Sequence, residues 1–199
     1  MSHDRSSSTF WNKWWPICDL DGTLFDTRAQ VEEAYRRAGF TMPDGAWGRP
    51  WQSWCTPEVH RLKTMKYPEV IAEMPPRPLP LLRDIFMPYQ GSVLTAASHA
   101  AATLLLKQID PPQWMRLMGW SLTLEQRMDV LVKAAAIRPV VYFDDDASTC
   151  ATVSEWMSHQ LKNVVHVNEG VYTQYLNGKE NGRWTPSSWQ GAATSVSRA

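Results

Sequence analysis

Cysteine is scarce in this chain: Cys18, Cys55 and Cys150 are odd in number, far apart and without a CxxC pair. That excludes a disulfide framework or a structural zinc site as the basis of the fold, and it fits a reducing compartment. Long apolar runs are missing too, since no stretch approaches the roughly 20 residues that a membrane-spanning helix requires. The opening segment MSHDRSSSTFWNKWW has no apolar core of a secretory signal, so the expected location is the cytoplasm, without membrane attachment. Neither sign of charge is in excess, with 20 basic residues against 20 acidic ones. No whole-molecule field therefore draws the protein to nucleic acid or to an anionic surface, and any anion it binds must be gripped locally.

Within those limits the composition is that of a globular protein. Hydrophobic residues make up 44% of the 199, enough to build one α/β domain with a small accessory unit. Tryptophan is the outlier at 11 residues, and Trp47, Trp51 and Trp54 fall at helical spacing. Packing of a small helical unit is the ordinary use for such indoles, and a stacking surface for a base or aromatic substrate is the sharper alternative.

The segment WPICDLDGTLFDT begins the informative part of the chain. A short apolar run that breaks into carboxylates and a glycine reads as a buried strand ending in a turn. Thr27 and Gln30 have the spacing of a capping box, and Val31, Ala34, Tyr35 and Ala38 recur at helical intervals, which predicts a helix over 28–38. Pro43, Gly45, Gly48, Pro50 and Pro57 then break the pattern before a second helix over 58–73, interrupted at Pro68. MPPRPLP (74–80) is a stiff connector, because each proline fixes its own φ and restricts the residue before it. Beyond it, helices are expected over 81–87, 99–108, 124–136 and 149–161. Strands are expected in GSVLT, over 114–118, in PVVYF up to Asp144, and in VVHV. That alternation predicts an α/β fold, a Rossmann-like, mainly parallel sheet flanked by helices on both faces. The domain plan is an N-terminal extension over 1–13, a core over 14–26 and 78–176, a helical insertion over 27–77, and a polar, loosely held tail over 177–199.

In a parallel sheet, ligands gather at the carboxyl ends of the strands. Asp19 and Asp21, Thr95, and Asp144 to Asp146 all fall where a predicted strand ends. Asp19 and Asp21 are two apart, so in extended chain both side chains leave on one side, and Gly22 permits the tight turn that follows. Carboxylates aimed at a phosphate repel it unless a cation sits among them. Mg²⁺ suits the task, since it prefers hard oxygen ligands and leaves room for water and substrate. Asp19, Asp144 or Asp145, and a backbone carbonyl near Asp21 can supply its protein ligands. Asp19 can then attack phosphorus, and Asp21 can act as acid toward the leaving alcohol and as base toward water. Thr95 offers a hydroxyl and Lys133 a positive charge to the other phosphate oxygens.

These residues resemble the motifs of the haloacid-dehalogenase (HAD) superfamily of phosphotransferases. DLDGTLFD (19–26) is similar to its first motif, VLT (93–95) to its second, Lys133 to its third and FDDD (143–146) to its fourth, in the family's order across residues 15–167. The resemblance implies Asp19 as nucleophile and Asp21 as acid/base, with Thr95 and Lys133 as phosphate ligands. It implies a Mg²⁺ site drawing on Asp19, Asp21, Asp144 and Asp145. The insertion over 27–77 falls where this family places a helical C1-type cap over the substrate. RMDVLVK (127–133) also looks like a stretch in the 3′-phosphatase domain of bacteriophage polynucleotide kinases, although those have an arginine where this chain has Asp146. Arg127 rivals Lys133, because a helix feeding the acidic strand should carry its phosphate-binding cation near its N-terminal end.

Plainer roles compete with these. A DG pair is commonly turn chemistry, Asp146 and Ser98 can each cap the helix that follows, and a threonine ending a strand is commonplace. Cys18 points away from Asp19 by strand alternation, and His60, His99, His159 and His166 have no metal-like spacing, so none is given a role. The leading function is Mg²⁺-dependent hydrolysis of a small phosphate monoester, with a nucleotide as the narrower form. The alternatives are a 3′-phosphatase for which nucleic acid is only the substrate, and a binding module of the same fold without turnover.

Overall fold

The computed structural model describes residues 13–47, 49–157 and 163–166. The expected tail over 177–199, nearly all of the N-terminal extension, and His159 lie outside the described residues. The apolar run before Asp19 is strand β1 (Trp15–Cys18), which pairs in parallel with β4 (Ser92–Leu94) on one side and β6 (Val140–Asp144) on the other. Strands β5 (Leu117–Gly119) and β7 (Asn163–His166) extend this to a five-stranded parallel sheet in the order β5-β4-β1-β6-β7. The chain thus moves outward from β1 through β4 to β5, then returns to the other side of β1. That reversal is the topological switch point at which α/β sheets open a crevice.

Strand alternation divides the core into two layers. On one face Cys18, Val93 and Phe143 pack with Ala101, Ala102, Leu105 and Leu106 of a helix over His99–Lys107. On the other, Ile17, Leu94 and Tyr142 meet Met128, Leu131 and Ala134 of the helix Leu124–Ile137, and Val153 of the helix Ala147–Met157. Ser98 and Thr123 start two of these helices through their hydroxyls, each accepting the N–H three residues on. Asp146 starts the third, its Oδ1 accepting from Ser148 N–H at 2.8 Å and from the Ser148 hydroxyl.

Between β1 and β4 the chain makes a detour. It leaves through β2 (Phe25–Asp26) and returns through β3 (Arg77–Pro78), and the two strands pair antiparallel into a short ribbon. Arg77 and Pro78 of the expected stiff connector over 74–80 form one strand of this ribbon. Proline serves in it because an edge strand of two residues needs few N–H donors. The detour holds two helices packed on each other, α1 (Arg28–Arg37) and α2 (Pro57–Glu73), tied at their ends by an Arg37–Glu73 ion pair at 2.6 Å.

Several local expectations differ from the structure, beginning with Pro68, where α2 runs on unbroken instead of being interrupted. Thr27 makes no side-chain cap bond; Gln30 is drawn instead to the Met74 carbonyl, 3.0 Å away at the end of α2. Trp47, Trp51 and Trp54 do not share a helix, because Pro50 holds an extended ψ and only the 3₁₀ turn Trp51–Ser53 follows. Their indoles are used in packing: Trp51 stacks on His60 at 4.1 Å, and Trp54 meets Tyr35 edge-on at 5.0 Å. The strand expected from 114 begins only at Leu117, after a 3₁₀ turn over Trp114–Arg116.

Candidate active site

The register of β1 and β6 places Cys18 opposite Phe143, so the next residue on each strand is a carboxylate, Asp19 beside Asp144. The Asp19 N–H donates to the Phe143 carbonyl at 2.8 Å and carries the ladder up to the carboxylates. Oxygens of Asp19, Asp144 and Asp145 lie within 4.8 Å of one another. Thr23, from the turn after β1, holds Asp145 twice: its hydroxyl donates to Oδ1 at 3.2 Å and accepts the Asp145 N–H at 3.0 Å. Gly22 occupies that turn with φ +76°, and a Cβ there would collide with the Asp145 carboxylate. Glycine is thus required twice over, for its backbone and for its missing side chain.

The cation beside these acids is Arg127. Thr123 and Gln126 form a full capping box, which sets the start of the helix and puts Arg127 in its first turn. Its Nη1 lies 3.0 Å from Asp144 Oδ2 and 3.8 Å from Asp19 Oδ1, and donates to the Tyr142 hydroxyl at 3.2 Å. Its Nε is buried without a hydrogen-bond partner among the described residues. Lys133, six residues on and about 9 Å further along the helix axis, is exposed and has no ion pair or hydrogen bond among the described residues. Thr95 is buried at the end of β4, its Oγ1 accepting from Ala97 N–H at 3.1 Å while its own proton goes to no described residue.

Asp21 is reached from the helical detour. The Tyr67 hydroxyl of α2 donates to Asp21 Oδ1, and one turn earlier Lys63 lays its ammonium over the Tyr67 ring at 4.2 Å from the centroid. Tyr142, Tyr67 and Lys63 were not singled out from the sequence. Tyr142 had a readable signal, since it lies two residues before Asp144 on one strand face and donates to Asp144 Oδ2 at 2.5 Å. Tyr67 and Lys63 carried none, because only the folded detour brings α2 to the turn after β1.

Electrostatically the site holds too much negative charge for its own cations. Burial, and then the neighbouring Asp144, push Asp19 well above the usual carboxylate range, with Arg127 opposing. Burial also raises Asp144, against Arg127 and the Tyr142 hydroxyl, and raises Asp145 to about 7 with Asp144 adding to the effect. Asp19 Oδ1 is buried and accepts no hydrogen bond among the described residues. Three crowded carboxylates with an unsatisfied oxygen are the donor set that a hard divalent cation takes, so the residues fit Mg²⁺. Asp19, Asp144 and Asp145 would hold it. Gly22→Ala should displace Asp145 and weaken Mg²⁺ binding about tenfold or more, as losses of residues that orient ligands do. Calorimetric titration against the parent protein checks this.

No family model matches the sequence, and no curated protein matches it. Solved structures do. The chain is similar to CbbY from Rhodobacter sphaeroides in complex with phosphate, at TM-score 0.59 and 14% identity over 78% of this chain and 87% of that one. A mutant of CbbY in complex with xylulose-(1,5)bisphosphate matches at TM-score 0.59 and 13% identity with the same coverage. The matches give no support to the polynucleotide-kinase likeness. At this identity the likeness bears on architecture alone, and that architecture is the HAD-like, Rossmann-type fold.

Proposed function

We propose that this chain is a Mg²⁺-dependent phosphomonoesterase in which Asp19 is the nucleophile. The observation that carries the reading is the meeting of Asp19, Asp144 and Asp145 within 4.8 Å, at the switch point of the sheet. The pairing of a nucleophilic carboxylate with a second acid two residues on has an economical use in ester hydrolysis. Asp19 attacks phosphorus, forming an Asp19–phosphorus bond as the bond to the alcohol oxygen breaks, while protonated Asp21 gives its proton to the departing oxygen. Asp21, now a base, takes a proton from water that attacks the same phosphorus, and inorganic phosphate leaves as Asp19 is restored. Bound Mg²⁺ would neutralise the approach of one anion to another and polarise the phosphoryl group. Arg127, with its unpartnered Nε, and the Thr95 hydroxyl serve the equatorial oxygens.

The detour over 27–77 acts as the cap in this reading, since it is joined to the core by one ribbon and delivers Tyr67 and Lys63 to the turn beside the nucleophile. The substrate class is a small phosphorylated molecule. The CbbY structures, with phosphate and with a sugar bisphosphate, favour that class, and a nucleotide remains the narrower form carried by the tryptophan content alone. Among the described residues no helix is long and apolar enough to cross a membrane.

Phosphate release from p-nitrophenyl phosphate tests the proposal. Chelation with EDTA should lower it at least about a hundredfold, and added Mg²⁺ should restore it. Equal rates with and without the cation would overturn the metal-assisted mechanism.

A further inference from the structure

Asp21 has its two oxygens in different situations. Oδ1 accepts from the Tyr67 hydroxyl, and Oδ2 has no hydrogen-bond partner among the described residues. The carboxylate is only partly buried, and apart from Tyr67 no side chain of the core or of the turn is bonded to it. A carboxyl group with one fixed oxygen and one open oxygen has a defined rotamer and a single reactive position, whereas one without such a bond turns about its side-chain torsions. The donor comes from the detour, not from the sheet that carries Asp19. Tyr67 is itself fixed, because its ring is buried and lies under the Lys63 ammonium, which also faces the Tyr35 ring at 5.7 Å. The ammonium is attracted to the face of the ring and helps to hold it in place.

We propose that Tyr67 is the positioning residue for Asp21: by docking its hydroxyl on Oδ1 it aims Oδ2 at the oxygen of the leaving alcohol. The acid that completes the reaction is therefore assembled by the cap. This rests on the phosphomonoesterase reading and adds to it which group orients the proton donor and from which part of the chain. Tyr67 touches no reacting atom, so its influence falls on the proton transfer and not on the attack by Asp19. The transfer matters in proportion to the basicity of the departing oxygen. An alkoxide cannot leave without a proton, and a nitrophenolate can.

The experiment compares Tyr67→Phe with the parent protein on two substrates, an alkyl phosphate such as glycerol 3-phosphate or another alkyl ester that the parent hydrolyses, and p-nitrophenyl phosphate. The ratio kcat/KM is read because it covers the steps up to departure of the alcohol. Phenylalanine keeps the ring, and with it the packing against Lys63, so a thermal melt within a few degrees of the parent shows that the cap remains folded. The expected result is a loss of tenfold or more on the alkyl ester and of threefold or less on the aryl ester, a split that Asp21→Asn should share. Equal losses on both esters, or no loss on either, would overturn the positioning role while leaving the hydrolytic reading intact. Absence of phosphate release by the parent from both esters in saturating Mg²⁺ would overturn the hydrolytic reading and the inference with it.

Discussion

Asp19→Asn should lower the rate of phosphate release at least about a thousandfold, the scale on which removal of a nucleophile acts. An amide of the same shape fills the end of β1 and keeps the backbone bond from Asp19 N–H to Phe143, but it has no anionic oxygen to offer phosphorus. The stability of the variant separates this from damage to the fold. In the parent protein, burial and the neighbouring Asp144 disfavour the charged form of Asp19. Replacing it by a neutral isostere removes that repulsion, so without added cation the thermal midpoint should stay level or rise. Turnover near the parent rate in Asp19→Asn would end the mechanism, because it assigns the attack to that carboxylate alone and gives Asp21 only the proton transfer.

Arg127→Ala should cost activity about 100-fold or more, whereas Lys133→Ala should change it by less than about twofold. The guanidinium lies 3.0 Å from Asp144 and 3.8 Å from Asp19, while the Lys133 ammonium stands exposed. Loss of Arg127 also leaves two buried acids without their counter-charge, a change that in other proteins costs about 3–5 kcal/mol. Arg127→Lys therefore belongs in the same assay: it restores a charge without the planar fork, and it should recover stability more fully than activity. Phosphatase kinetics with a parallel thermal melt distinguishes the two residues. Equal loss in Lys133→Ala would return the phosphate-binding role to the motif position.

How much of this was legible beforehand depended on what each signal reports. Strand ends were readable because apolar runs stop abruptly at acids: WPIC before Asp19 and VVYF before Asp144. Their meeting followed from the parallel alternation, since adjacent parallel strands present their carboxyl ends at one edge. The cation was harder. Motif spacing pointed to Lys133 and helix geometry to Arg127, and the structure brings only Arg127 to the acids because the capping box at Thr123 fixes which turn of the helix faces them. The tryptophans misled in secondary structure, since spacing at 47, 51 and 54 takes no account of Pro50. Tyr67 and Lys63 were beyond sequence reasoning, because the bond from Tyr67 to Asp21 spans 46 residues and forms only once α2, with Lys63 over the Tyr67 ring, has folded back.

The ribbon of Phe25–Asp26 with Arg77–Pro78 also bears on how such a chain diversifies. Because the outgoing and returning strands are hydrogen-bonded neighbours, the ends of everything between them stand about 5 Å apart whatever its length. The sheet and its acids therefore meet the detour at a fixed doorway and along one face of α2, where Tyr67, Val70 and Ile71 join the core. Residues beyond the doorway and away from that face, such as those between α1 and α2, can be lengthened, shortened or exchanged without disturbing the register of β1 with β4 and β6, so selectivity can drift while the bond-breaking apparatus stays unaltered.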